Sequence, residues 1–440
     1  MSVRKIVIAI VLAAFFFQGV PQNAIAGPVD ILVKKLEEKG ILTQYEAQII
    51  LEETKQELAK EISEQSADTA PEWTQKIAMK GDVRYRNQVD WQDNNNSDTR
   101  YRQRVRARLG LYSKINDEVK AGVRVVSGGA DPVSTNQTLG DFFGTKTFML
   151  DQAYIDYTPA FFGEHITALA GMFDNPFYST ELLWDTDLSF GGAALKASMN
   201  TNDIAGLKDF GMPSTDLYFT AGEFPLDEIA STWSDPWLLA LQGGFNSEFA
   251  EGINLKSALA IYDYSEVKEY VEGNSQGGNT RALTAGYGKG FTVLDIPIEI
   301  GIMDPLRFAG VEGGENPMIP YLGIYGDYAN NLATGEGDNA YLIGATIGHK
   351  KVSNPGAWQL AYDYRDIESN SQIDVFPDSD FYGTGTGAHG HNVRFSYGIA
   401  KNTTIGAEWY LAYRKAINSG FAFNDDKTHS LVQLDAQVKF

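Results

Sequence analysis

The chain contains no cysteine. That excludes a disulfide framework, a thiolate metal site and a thiol nucleophile. It also has no run of eighteen apolar residues, so no stretch is long enough for a transmembrane helix. Positive charge is the scarcer sign, with 36 Lys and Arg against 57 Asp and Glu and a formal net charge of −21. Non-specific nucleic-acid binding is therefore not expected. Histidine occurs five times, at 165, 349, 389, 391 and 429, too scattered for an evident metal or acid–base constellation. Glycine (44), tyrosine (22) and phenylalanine (24) are plentiful. A mean hydropathy of −0.25 is low for a helical membrane protein. It suits a transmembrane β-barrel, in which only every second strand residue need be apolar.

Four segments follow from patterning. Arg4 and Lys5, the apolar run Ile6 to Phe17 and Ala24-Ile25-Ala26 read as a signal peptide over residues 1–26, cut after Ala26. Twelve apolar residues are too short to serve comfortably as an uncleaved anchor. Residues 27–66 read as a periplasmic helical, coiled-coil segment. Gly40 would close a first helix, and Thr43 with Glu46 forms a capping box for a second. A solvated spacer is the plainer alternative. Residues 67–74, with Pro71, read as a linker. Residues 75–440 read as strands and turns.

Arg100 to Leu111, RYRQRVRARLGL, has the sharpest pattern. Arginine at 100, 102, 104, 106 and 108 alternates with Tyr101, Gln103, Val105, Ala107 and Leu109. The period is two, that of a strand, with the arginines on one face. Arg84 and Arg86 alternate with Val83, Tyr85 and Val89, and Arg124 with Val123 and Val125. Short connections, such as Lys401-Asn402, alternate with long polar ones, such as Ser127 to Thr147 and Glu368 to His391. That asymmetry belongs to outer-membrane barrels. Val432, Leu434, Ala436, Val438 and Phe440 make a last amphipathic strand. Its terminal Phe440 is expected to act as the membrane-assembly signal. About seventeen strands can be counted, and a single-chain barrel with both ends on one side needs an even number. Sixteen is preferred, with eighteen as the fallback, and the doubtful region includes Phe291 to Met303.

With these features in view the chain resembles the Putative porin family of bacterial outer membranes. The resemblance is carried by VDILVKKLEEKGILTQYEAQIILEETK, the arginine strand with INDEVKAGVRVVSGGADPVSTNQTLGDFF, LDQAYIDYTP, DNPFYSTELLWDTDLSFGG, and AWQLAYDYRDIESNSQIDVFPDSDF with GHNVRFSYGIAKNTTIGAEWY. It implies an all-β transmembrane antiparallel barrel and passive diffusion of small solutes. It supplies neither a solute nor assigned functional residues.

For a pore, the expected positive wall is Arg84, Arg86, Arg100, Arg102, Arg104, Arg106, Arg108 and Arg124. Arginine stays charged and grips oxyanions bidentately. Glu181, Asp185 and Asp187 in Asn175–Ser189 are the expected constriction loop, facing that wall across a transverse field. Two alternatives stand beside this. The arginines could simply pair with neighbouring carboxylates such as Asp82 and brace the wall, and Phe177, Leu182, Leu183 and Trp184 could form a subunit-contact latch. His389-Gly390-His391 is read as part of a glycine-rich loop, and no histidine is placed on a strand's lipid face. No enzyme activity, cofactor or metal is expected. The expected surroundings are outer-membrane lipid, a homotrimer, the barrel-assembly machinery and, through the N-terminal helices, the cell wall. Three functions remain open: a diffusion porin with mild anion preference, a specific oxyanion channel for phosphate or a carboxylate, and an envelope tether.

Overall fold

A computed structural model describes residues 76–92, 99–204, 213–230, 235–267, 290–311, 317–383, 385–415 and 428–440. The signal peptide, helical segment and linker lie outside the described residues. Ile77–Gln92 (β1), Arg100–Lys114 (β2), Val119–Ser127 (β3), the two-residue Gln137–Thr138 (β4), Phe148–Tyr157 (β5) and Ile166–Asp174 (β6) open the sheet. Ser189–Asn200 (β7), Thr215–Pro225 (β8), Trp237–Ala250 (β9), Ile253–Ser265 (β10), Phe291–Asp295 (β11) and Ile298–Met303 (β12) continue it. Tyr321–Asn331 (β13), Asn339–Gly348 (β14), Trp358–Ile367 (β15), Ala388–Ala400 (β16), Thr403–Arg414 (β17) and Thr428–Lys439 (β18) complete it.

The sheet is antiparallel and closes on itself where β1 meets β18. β11 and β12 both pair with β10 and with β13. They are one stave interrupted at Ile296-Pro297, where proline has no N–H to give the ladder. β4 adds only two pairs to β2 beyond the end of β3. The wall thus has sixteen staves with two additional short strands, and the doubtful stretch at Phe291–Met303 is the broken stave. Closure leaves no sheet edge, which a membrane requires. The last residue takes part: Phe440 N donates to Gly81 O at 3.0 Å and Gly81 N to Phe440 O at 2.9 Å. A side chain at 81 would collide with the Phe440 ring.

Alternation sorts the wall into two faces. Val83, Tyr85, Leu109, Leu111, Leu241, Ile343 and Leu434 stand exposed on the outside, where a soluble protein could not keep them. Tyr341, Tyr362, Tyr364 and Tyr413 sit on the same face. His389 and His391 lie there too, within β16 and not in a loop. β16 extends earlier than its glycine content suggests because Gly390 fits under the Leu411 carbonyl of β17. His391 Nδ1 meets Tyr362 Oη at 2.9 Å, and His389 stacks on Tyr413.

The other face encloses an interior with its own apolar core. Phe177, Leu182, Leu183 and Trp184 from the β6–β7 loop and Ile373, Phe376 and Phe381 from the β15–β16 loop are buried there, against Tyr262, Leu342 and Tyr410 of the wall. Several aromatic rings lie flat on the inner wall over glycines. Tyr218 covers Gly244, Tyr325 covers Gly344, and Tyr321 covers Gly301 and Gly323.

Candidate functional site: the charged barrel interior

The arginine strand creates an electrostatic conflict at once. Register places Arg84 opposite Arg106 and Arg86 opposite Arg104 across β1–β2, and like charges directly opposite destabilise a sheet. Carboxylates from distant parts of the chain resolve it. Asp82 accepts from Arg106 at 2.9 Å and from Arg108 at 2.6 Å. Asp435 of β18 holds Arg86 bidentately, both contacts at 2.8 Å, and Asp380 adds a third at 3.2 Å. Asp90 pairs with Arg102 at 3.7 Å and with His429 at 2.9 Å. Arg124 bonds Asp151 and, at 3.2 Å, Asp174. Arg104 is held by neutral partners, Gln88 and Ser134. Arg84 reaches Asn136 at 2.8 Å and Asp435 at 3.8 Å. Arg100 lies at the far end of β2, exposed and opposite Asp90.

The β6–β7 loop crosses the interior. It leaves β6, yet its groups bond to β9, β13, β15, β16 and β2, strands spread around the closed cylinder, and only a chord through the lumen reaches all of them. Tyr178 N donates to Gln242 at 2.8 Å and Thr180 Oγ1 to Asp327 at 2.6 Å. Glu181 accepts from Arg365 at 2.8 Å and Arg394 at 2.7 Å. Asp187 meets Arg106 at 3.4 Å and Arg108 at 3.5 Å, and accepts from Thr135 N and Oγ1. The apolar residues of this loop are buried inside, so they do not form an external latch.

The three loop carboxylates therefore have three different surroundings. Only Asp187 faces the arginine wall, and its neighbours Arg106 and Arg108 hold its carboxyl below the ordinary range against the opposing effect of burial. Glu181 faces a second basic pair, Arg365 and Arg394. Asp185 faces neither. It accepts from Asp187 N at 2.8 Å and Ser379 N at 3.2 Å. Burial, with the nearby Asp378 carboxyl, pushes it up to about 9. A single transverse field between one positive wall and three facing carboxylates is thus not what this loop forms.

A second basic centre, outside the expected site residues, lies on β15 and β16. Arg365 is fully buried, with Asp363 and Asp378 each at 2.7 Å and Glu181 at 2.8 Å. Asp363 also bonds Arg394 at 3.2 Å. Its sequence signal is Asp363 and Arg365 two apart on the polar face of β15. Two open cavities flank the crossing loop. One, about 780 Å³, is lined by Tyr178, Lys196, Tyr218, Thr220 and Lys256. The other, about 540 Å³, is lined by Glu181, Trp184, Asp185, Tyr325, Arg365 and Arg394.

Comparison with known proteins agrees with this architecture. A family model described as Putative porin matches residues 90–286 and 321–440. OprB of Pseudomonas putida, in its high-pH structure, superposes with a TM-score of 0.53 at 13% identity, covering 83% of this chain and 95% of that one. The outer membrane channel DcaP of Acinetobacter baumannii gives 0.45 at 14% identity over 83% and 97%. OmpF of Salmonella typhi gives 0.46 at 11% over 82% and 97%. No curated protein matches the sequence.

Proposed function

The chain belongs to the Putative porin family, and we propose that it is an outer-membrane channel for passive diffusion of small hydrophilic solutes and ions, with mild anion preference. The observation that carries this reading is the crossing loop. A closed barrel with an apolar exterior and a charged interior, narrowed by a chord pinned to five strands, is the construction of a diffusion pore whose selectivity lies in its lining. The eight arginines of β1, β2 and β3 belong to that lining in this reading, although aspartates answer most of them and they also brace the wall. Export by the N-terminal segment with cleavage after Ala26, insertion through the assembly machinery with Phe440 as signal, and a homotrimeric state complete it. Purified protein in planar bilayers under a KCl gradient should give stepwise conductance with a reversal potential on the anion side. Absence of conductance, or clear cation preference, would overturn it.

A specific oxyanion channel is a second reading, favoured by the density of arginine. It requires micromolar phosphate or a carboxylate to block chloride current. Envelope tethering through residues 27–66 is a separate role that deletion of that segment would expose, as weakened attachment with unchanged conductance.

A further inference from the structure

Carboxylates answer most of the arginine ladder where it stands, Arg100 and Arg104 excepted, and charge less closely answered also stands elsewhere on the inner wall. It is found in the cavity of about 780 Å³ on the β7–β10 side of the crossing loop. Lys196 of β7 and Lys256 of β10 both line it. Their inward direction follows from alternation, since Leu195, Met199 and Leu259 stand exposed on the outer face. Lys256 Nζ rests 3.7 Å from the ring centroid of Tyr178, a residue of the crossing loop. Among the described residues neither lysine forms an ion pair. This is the reverse of Arg86, Arg106, Arg124 and Arg365, each engaged by two or more carboxylates.

The cavity also contains two carboxylates and a histidine. Asp216 accepts from Asn200 Nδ2 at 2.7 Å, Asp203 lies in the turn after β7, and His165 Nδ1 meets Ser198 O at 3.0 Å. Asp203 and Asp216 flank the β7–β8 connection, whereas Lys256 lies against the loop that narrows the lumen. A solute passing that constriction meets an ammonium group on an aromatic ring with no carboxylate bonded to it. Glu299 stands opposite Lys256 in the β10–β12 register but accepts from Tyr321 Oη at 2.6 Å and is not ion-paired with the lysine. A cation without a bonded carboxylate beside low-dielectric walls concentrates counter-ions locally, and Tyr178 and Tyr218 offer rings to an apolar body behind the charge.

We propose that Lys196 and Lys256 are the selectivity-determining residues of this channel, and that their cavity is a transit site for small carboxylates, aromatic ones included. The proposal rests on the porin reading above. Its test is reversal potential and block by sodium benzoate in planar bilayers, for the full chain, the K196Q/K256Q double variant and a K401Q control in the β16–β17 turn. The double variant should keep its open-channel conductance within about twofold and lower the chloride-to-potassium permeability ratio by about threefold or more. Millimolar benzoate should reduce the current of the parent and of K401Q but not of the double variant. An unchanged ratio in a conducting double variant would overturn the proposal while leaving the pore intact. So would a parent channel indifferent to benzoate, a measurement that does not depend on any variant folding. A parent without conductance would overturn the porin reading instead.

Discussion

Arg365 shows at the scale of one residue why the interior cannot be read as a row of independent charges. It has no exposed surface and holds three carboxylates from two loops and its own strand. Removing one partner of a buried ionic cluster leaves the others desolvated and unanswered, at a cost of about 3–5 kcal/mol. Arg365→Met is therefore expected to lower the urea midpoint of the folded barrel markedly, whereas Arg365→Lys should recover part of the loss. Arg104→Gln, by contrast, removes a side chain bonded only to Gln88 and Ser134, and its midpoint should move little. Equal losses for Arg365→Met and Arg104→Gln would argue against this ordering.

At the scale of the element, the crossing loop carries the most consequence. Asp185 ordinarily titrates near 3.8 and is pushed up to about 9 in the folded chain. Its neutral form is the one the docked loop favours. Loop docking is therefore firmest in acid and weakens as pH rises from about 4 towards 9. Open-channel current noise should grow over that window, and Asp185→Asn should flatten the dependence. Thr135 and Asp187 offer an independent probe, with Thr135 Oγ1 3.0 Å from an Asp187 oxygen in a chain without native cysteine. In the Thr135→Cys, Asp187→Cys pair, oxidation should form a disulfide without abolishing conductance. Loss of current on oxidation, restored by reductant, would mean that the loop must move.

The sequence made some of this legible. Alternation on β1, β2, β3 and β18 was plain because one face of each strand is mostly apolar, with Asn87 on β1 and Gln103 on β2 as the exceptions mid-strand. The acidic residues of the β6–β7 loop marked it as something other than a surface connection. The pairing of Arg86 with Asp380 across 294 positions, or of Glu181 with Arg394 across 213, has no local signature. It exists only once sixteen staves have closed. The broken stave at Ile296-Pro297 was ambiguous for a related reason: each half is shorter than a membrane crossing, and only their shared neighbours reveal them as one.

At the scale of the whole molecule, closure depends on the first and last strands meeting. β1 and β18 pair from Asp82–Lys439 to Gln92–His429, and the Phe440–Gly81 backbone pair extends that seam. Deletion of Phe440, or Gly81→Val, should reduce the yield of heat-resistant, folded barrel on gels without changing single-channel conductance in the molecules that do assemble. The rings laid over glycines make a different kind of statement about the molecule. Tyr218 and Tyr325 lie flat because Gly244 and Gly344 have nothing to hold them off the wall. The calibre of the passage is thus written in atoms that are missing. Lifting the Tyr325 ring with Gly344→Val, where only that side chain stands in the way, should throttle large solutes before small ions and leave the ion preference where it was, so that gauge and charge can be tuned as two separate dials.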